Sequence, residues 1–172
     1  MNATPISLQV ILNLPYAAEA IQEQEMSLVM QGLLDISKRY QCSLLGGHTA
    51  EAKELSLGLV INAIPVEGSC LFKKENLQAG DHLILTKSIG TGVILAADML
   101  KQSKGNWHKA ALTSMLLSNQ TASSLFASLA VLACTDVTGF GLAGHLSEML
   151  EASNCSAEII IENIPCLEGA VE

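Results

Sequence analysis

Basic residues and aromatic residues are both scarce in this chain, and each shortage excludes a class of protein. Only 9 Lys and Arg stand against 17 Asp and Glu, which gives a net charge of −8. Such a chain repels nucleic acid and anionic membrane surfaces, because binding there depends on clustered Lys and Arg. Aromatic residues make up 3% of the sequence, so aliphatic side chains must fill the core. That composition favours helices packed on sheets over a small aromatic-rich barrel.

Long apolar runs and paired cysteine motifs are also missing. No run reaches the roughly 18 to 20 residues that cross a bilayer, and the N-terminus MNATPISLQV lacks the basic stretch that opens a signal peptide. We therefore expect no membrane partner and a cytoplasmic location. The number of cysteines, five, is odd, and no two of them have the C-x-x-C spacing with two residues between them. This argues against a zinc or dithiol redox motif. We expect all five to be reduced and mostly buried.

The order of apolar and polar residues predicts a sheet domain in the first part of the chain. Alternation over residues 6–12 predicts a strand, and near 3.6-residue spacing predicts a helix over residues 17–40. Strands at residues 42–45 and 55–65 should pair with each other in one sheet. Residues 66–80 are polar and aperiodic, which indicates a linker. The predicted division is 1–66 for the first domain, 67–80 for the linker and 81–172 for the second domain.

The second part of the chain alternates predicted strands with predicted helices, as an α/β domain does. Residues 82–86 (HLILT) and 157–161 are expected to be strands, and another strand should end at Cys134. Helices are expected over residues 92–100, 106–117, 120–131 and 140–152. The predicted fold class is therefore mixed, with an α+β first domain and an α/β second domain.

Two glycines followed by small polar groups stand after the strand at residues 42–45. Gly46 and Gly47 would let backbone amides approach a ligand, and N–H groups exposed at such a turn can hold phosphate oxygens. A tight turn between two strands is the simpler explanation of the glycine pair. The motif GGHT, which continues with His48 and Thr49, is therefore a weak signal by itself.

A stronger candidate site lies where the strand at Cys134 should lead into a helix. Amides at a helix N-terminus favour anions, yet this segment carries Asp136. A carboxylate suits a polyphosphate only if a hard cation such as Mg²⁺ bridges the two. Capping of the following helix explains Asp136 about as well. His145 and Glu148 lie on that helix without a zinc-protease pattern, so we expect them to be structural or solvated.

Taken together, the motifs resemble those of the selenide, water dikinases. The stretches LLGGHTAE (44–51), LQAGDHLILTKSIGTGV (77–93) and CTDVTGFGLAGHLSEML (134–150) stand in the order and at about the separation of that family. The resemblance covers residues 2–165, and its third stretch is highly specific. It implies an aminoimidazole ribonucleotide synthetase-like two-domain fold, with an α+β domain that dimerises through its sheet, an α/β domain, and ATP between them.

The resemblance also implies an activity and site residues. The family makes selenophosphate, AMP and phosphate from ATP, selenide and water, with Mg²⁺ screening the developing charge. Asp136 corresponds to a metal-binding aspartate of the family. The residues implied in ATP binding are Gly46, Gly47, His48, Thr49, Thr138 and Gly139. A homodimer is implied, with ATP and selenide as substrates and without nucleic acid as a partner.

The chain also departs from the family pattern. The family's N-terminal cysteine or selenocysteine, a lysine and further metal-binding aspartates have no counterpart, because the resemblance begins after them and stops within the second domain. We therefore expect weak Mg-ATP binding and no dikinase activity from this chain alone. Two alternatives stay open. One is another ATP-using enzyme of the superfamily, such as aminoimidazole ribonucleotide synthetase or thiamine monophosphate kinase, and the other is a non-catalytic dimerisation module.

Overall fold

Residues 2–131 and 133–172 are described by a computed structural model, in which internal contacts group the chain into two units. The first, here the sheet unit, comprises Ala3–Ser69. The second, here the helical unit, comprises Asn2 together with Cys70–Glu172. The division falls inside the segment for which the sequence predicts a linker.

The sheet unit is built around one long central strand. Strand β1 (Ala3–Pro15) pairs in parallel with β2 (Ser43–Ala52) and antiparallel with β3 (Ser56–Pro65), so the strand order is β2-β1-β3. A parallel pair needs a crossover connection, and helix α1 (Glu19–Tyr40) supplies it. Alternate side chains of β1 are buried and form the core of this unit: Leu8, Val10, Leu12 and Leu14.

Helix α1 covers one face of this sheet. It buries Leu33 and contacts both β1 and β2. Gln22 Nε2 donates hydrogen bonds to the Pro15 carbonyl at 3.0 Å and to Glu51 Oε1 at 2.8 Å. Glu51 is paired with Leu14 in the sheet, so these bonds identify the face of Leu14 as the face that α1 covers.

Two predictions for this sheet are wrong. Strands β2 and β3 do not pair with each other, because β1 lies between them and pairs with both. Strand β2 also does not end before the glycine pair, since it continues through Gly46 and Gly47 to Ala52. The parallel pairing with β1 holds this segment extended, although two adjacent glycines by local preference mark a turn.

The described residues of the helical unit form four α-helices and one short 3₁₀ helix. They are α2 (Thr91–Met99), α3 (Gly105–Leu116), α4 (Gln120–Ser128), α5 (Gly141–Ser153) and the 3₁₀ helix Ile161–Asn163. The four predicted helices are confirmed, although α4 ends at Ser128 rather than at residue 131. The core of this unit joins α2 to α3 and to the C-terminal segment through Ile94, Trp107, Ala111, Leu167 and Ala170.

The strands predicted for the second domain are wrong within the described residues. Residues 82–86 and 157–160 are irregular, and Cys134 follows an isolated bridge between Lys73 and Ala133. A strand needs a hydrogen-bonded partner along its length. Among residues 2–131 and 133–172, no backbone hydrogen bond joins residues 82–86 to another segment. The apolar sequence therefore does not suffice for a strand, and the observed fold is α+β.

Candidate functional site

The first predicted motif lies in strand β2 rather than in a phosphate-binding turn. Gly46 has a φ of +138°. The register between β1 and β2 shifts beside it, where Leu8 and Gln9 oppose Leu44 and Gly46 and leave Leu45 without a partner in the register. This arrangement is a β-bulge, and the positive φ favours glycine at that position. Gly46 thus has a structural role in setting the register of the sheet.

Gly47 permits a close approach of two backbones. A Cβ atom at Gly47 would lie 1.8 Å from the carbonyl oxygen of Val10 and 2.8 Å from its carbonyl carbon. Both distances are far below van der Waals contact, so any larger residue would push β2 away from β1. Both glycines of the motif are therefore explained by the sheet itself.

His48 and Thr49 point to opposite faces of the sheet. His48 is paired with Ile11 and Thr49 with Leu12, and successive side chains of a strand alternate between faces. Thr49 shares the face that α1 covers, as Leu12 and Leu14 do, whereas His48 lies on the other face. Both residues are exposed. A ligand that lies on one face of the sheet would meet one of these side chains and not the other.

The second predicted motif lies in the helical unit, between Ala133 and helix α5. Asp136 is exposed there, and Phe140 is the N-cap of α5, without a side-chain hydrogen bond to the helix amides. Capping by Asp136 is therefore excluded as its role. Its backbone oxygen accepts a hydrogen bond from Thr135 Oγ1 at 3.2 Å, while its carboxylate has no hydrogen bond or ion pair with another described residue. An exposed anion thus stands close in sequence to a helix N-terminus that no side chain caps.

Thr138 and His145 are joined by a hydrogen bond that we did not predict. His145 is 6% exposed, and its Nε2 lies 3.0 Å from Thr138 Oγ1. The ring of Phe140 packs against the imidazole, with 5.7 Å between ring centroids. Thr138 and Gly139 are both exposed, and a Cβ atom at Gly139 would meet nothing within 4 Å. The buried imidazole therefore holds the segment that leads from Asp136 into α5.

Glu148 and Lys74 continue this set of polar contacts. Glu148 Oε2 lies 3.4 Å from His145 Nδ1, which is within ion-pair range but outside hydrogen-bonding geometry, so the contact is electrostatic. The same carboxylate forms an ion pair with Lys74. The hydrogen bond from Lys74 lowers the pKa of Glu148, and the neighbouring His145 adds to this shift. The three-residue spacing of His145 and Glu148 on α5 is the sequence signal for this pair, and a structural role for both is what we expect from the sequence.

The described residues supply one carboxylate at this segment for a metal ion. Across residues 2–131 and 133–172, no three His, Cys, Asp or Glu side chains converge as metal ligands. Mg²⁺ keeps several waters and is commonly held by one or two carboxylates together with substrate phosphates. Asp136 therefore fits as a single protein ligand to a phosphate-bound Mg²⁺, and not as part of a complete protein site.

An open groove in the same unit does not include these residues. Its volume is about 650 Å³, its walls are residues 77–85 and 155–160, and Leu142, Leu146 and Leu150 of α5 line it. Asp136, Thr138 and Gly139 are absent from its lining.

In the described part of the chain, no helix has the length and hydropathy needed to span a membrane.

The cysteines differ in exposure and therefore in expected reactivity. All five are free, but Cys42 alone is buried, so the prediction of mostly buried cysteines is wrong. Burial raises the pKa of the Cys134 thiol, and the carboxylate of Asp136 adds to the rise.

The thiolate is the reactive form, so we expect iodoacetamide at pH 8 to label the exposed Cys70 and Cys166 about tenfold faster than Cys134. Peptide mass spectrometry checks this, and equal rates would contradict it.

Comparison with known proteins identifies the family. Residues 1–64 match the family described as "AIR synthase related protein, N-terminal domain", and residues 78–171 match "AIR synthase related protein, C-terminal domain". The chain therefore belongs to the AIR synthase related proteins.

Solved structures share this fold. A crystal structure of thiamine-monophosphate kinase from Stenotrophomonas maltophilia has a TM-score of 0.80 and 19% identity, over 99% of this chain and 54% of that one. AaThiL complexed with AMPPCP and TMP has a TM-score of 0.71 and 16% identity, over 99% and 53%. At such identities the similarity shows the fold alone.

Curated relatives of higher identity are selenide, water dikinases. The enzyme of Pelobacter propionicus is 34% identical over 157 residues, which are 91% of this chain and 45% of that protein. The enzyme of Caldanaerobacter subterraneus is 34% identical over 172 residues, which are 100% and 48%. The enzyme of Clostridioides difficile is 37% identical over 146 residues, which are 84% and 41%. The resemblance seen in the motifs is confirmed, and the chain spans about half the length of these relatives.

Proposed function

We propose that this chain contributes to ATP-dependent synthesis of selenophosphate, in which ATP, selenide and water give selenophosphate, AMP and phosphate. The observation that carries the proposal is the segment around Asp136, where an exposed carboxylate without a partner among the described residues precedes the uncapped N-terminus of α5. The similarity to proteins named selenide, water dikinase supports the choice of reaction.

The two features of this segment suit different parts of a Mg-ATP complex. Uncapped amides at a helix N-terminus attract phosphate oxygens, and Asp136 is the proposed ligand of Mg²⁺, which would screen phosphate charge when bound. Thr138 and Gly139 are proposed as contacts from the same segment. Gly46, Gly47, His48 and Thr49 are proposed as nucleotide contacts of the sheet unit. Because His48 and Thr49 lie on opposite faces of the sheet, a nucleotide on one face would contact one of these two side chains. In this proposal the chain chiefly orients ATP and balances its charge.

A homodimer in the cytoplasm is part of the same proposal. The support for the homodimer is the apolar outer strand β3, on which Leu57, Leu59 and Ile61 are 48%, 46% and 58% exposed. Exposed apolar strands at the edge of a sheet are favoured positions for pairing with another chain.

The first test measures how Mg²⁺ changes the affinity for ATP. We expect calorimetric titration of the chain to show ATP bound about tenfold more tightly with Mg²⁺ than without it, because the ion links Asp136 to the phosphates. Asp136→Asn should abolish this difference. Asp98→Asn is the matched control, since it removes an exposed carboxylate that pairs with His108 in the same unit. An unchanged Mg²⁺ effect in Asp136→Asn would contradict the assignment of Asp136.

The reaction itself is tested by ³¹P NMR. We expect no AMP from ATP and selenide with this chain alone, because Asp136 would have to hold Mg²⁺ without a second carboxylate beside it among the described residues. Robust selenide-dependent formation of AMP would overturn that expectation and would show that the chain is sufficient. Phosphorylation of thiamine monophosphate with release of ADP would instead favour the other superfamily activity. A chain that ignores nucleotide altogether would favour a non-catalytic module.

A further inference from the structure

We propose that His145 is a positioning residue for Asp136, and that it acts through the hydroxyl of Thr138. This inference rests on the proposed function for its Mg²⁺ consequence, and on the geometry of the helical unit for its structural part. His145 is anchored in α5, whereas Asp136 lies in an irregular segment whose carboxylate has no partner among the described residues. The bond between His145 Nε2 and Thr138 Oγ1, at 3.0 Å, ties this segment to the helix.

The surroundings of His145 favour one arrangement of its proton. Glu148 Oε2 lies 3.4 Å from Nδ1, and a neighbouring carboxylate favours the tautomer that carries its proton on the facing nitrogen. Nε2 is then the acceptor, and the hydroxyl of Thr138 donates to it. Lys74 holds the same carboxylate from a segment distant in sequence. The ion pair of Glu148 and Lys74 therefore supports the tautomer of His145.

This assignment gives Thr138 a specific chemistry. A hydroxyl has one proton and two lone pairs. Once its proton is directed to His145, Thr138 Oγ1 has only acceptor capacity left for a ligand. It can accept a hydrogen bond from water in the shell of a cation, but it cannot donate to a phosphate oxygen. Thr138 would thus serve the metal side of a Mg-ATP complex, together with Asp136, rather than the phosphate side.

The structural part is tested by hydrogen exchange of the chain without ligand. We expect His145→Leu and Thr138→Val to raise amide exchange at Gly141 about tenfold, because the Gly141 N–H donates to the Thr138 carbonyl and each variant removes the bond that holds Thr138 to the helix. Thr138→Ser keeps the hydroxyl and should restore slow exchange. The double variant should exchange no faster than either single variant, since both remove the same bond. His108→Leu, on α3, is the matched control and should leave this segment unchanged.

The functional part is tested by ATP titration with and without Mg²⁺. We expect His145→Leu to reduce the Mg²⁺-dependent gain in affinity about threefold, less than the complete loss expected of Asp136→Asn, and to leave the Mg²⁺-free affinity unchanged, since the bond between His145 and Thr138 positions the metal side only. Equal losses with and without Mg²⁺ would overturn the positioning role and indicate general damage to the fold. If the wild-type chain binds no ATP, the proposed function fails. The exchange data alone then decide whether the hydrogen bond between His145 and Thr138 holds the segment. Unchanged exchange in His145→Leu would overturn the inference whatever the ATP result.

Discussion

Gly47→Ala is expected to destabilise the sheet unit by about 3 kcal/mol, the upper end of the typical cost of overpacking. The added Cβ atom would lie 1.8 Å from the Val10 carbonyl oxygen and 2.9 Å from Val10 Cγ1. The obstacle at 1.8 Å is backbone, so no rotation of a side chain relieves it. Strand β2 must move away from β1, and the parallel hydrogen bonds along the pair are lost with it. Urea unfolding followed by far-UV circular dichroism measures this loss.

Gly32→Ala is the matched control for that substitution. Gly32 lies inside α1, and a Cβ atom there would meet nothing within 4 Å. Alanine in a helix interior is favoured over glycine by roughly 0.5–1 kcal/mol, so this variant should be slightly more stable than the parent chain. If Gly47→Ala were as stable as Gly32→Ala, the close approach of β2 to β1 would be wrong.

The helices were predictable from the sequence, but the strand pairing was only partly so. Each helix is specified by apolar spacing within its own residues, which is why α5 is found within one residue of its expected position. Strands depend on partners elsewhere in the chain. Residues 82–86 have a strand-like sequence but no backbone partner among the described residues. Conversely, β1 pairs with both neighbouring strands. Its pairing with β2 keeps Gly46 and Gly47 extended, although two adjacent glycines would locally favour a turn.

The candidate site shows the same limit at the level of side chains. The motif around Asp136 could be recognised from contiguous residues, and so could its exposed helix N-terminus. The contact between Glu148 and Lys74 could not, because the two residues are 74 positions apart. The same holds for Gly47, for which the sequence shows a glycine but not the Val10 carbonyl against which it packs. Local patterns thus predicted the helix that follows the second motif and gave the first motif the wrong local structure.

Gly169→Ala is expected to detach the C-terminal segment from the core of the helical unit. Gly169 has a φ of +83°, which strains any larger residue, and a Cβ atom there would lie 2.2 Å from Trp107 Cδ2. Trp107 is 8% exposed and packs with Ile94, Ala111 and this segment. Because the indole is fixed by two helices, the segment is the part that moves. We expect a loss of about 3 kcal/mol, from strain and overpacking together.

Fluorescence reads this change directly, because Trp107 is the only tryptophan in the sequence. Departure of the C-terminal segment exposes the indole to water, so the emission of Gly169→Ala should shift to longer wavelength in the folded protein. Gly105→Ala is the control: it opens α3, the helix that carries Trp107, and its Cβ atom would meet nothing within 4 Å. Its emission should match that of the parent chain. Emission from Gly169→Ala that also matched the parent would mean that the segment does not pack on Trp107. A shift confined to Gly169→Ala would show that the C-terminal residues complete this core.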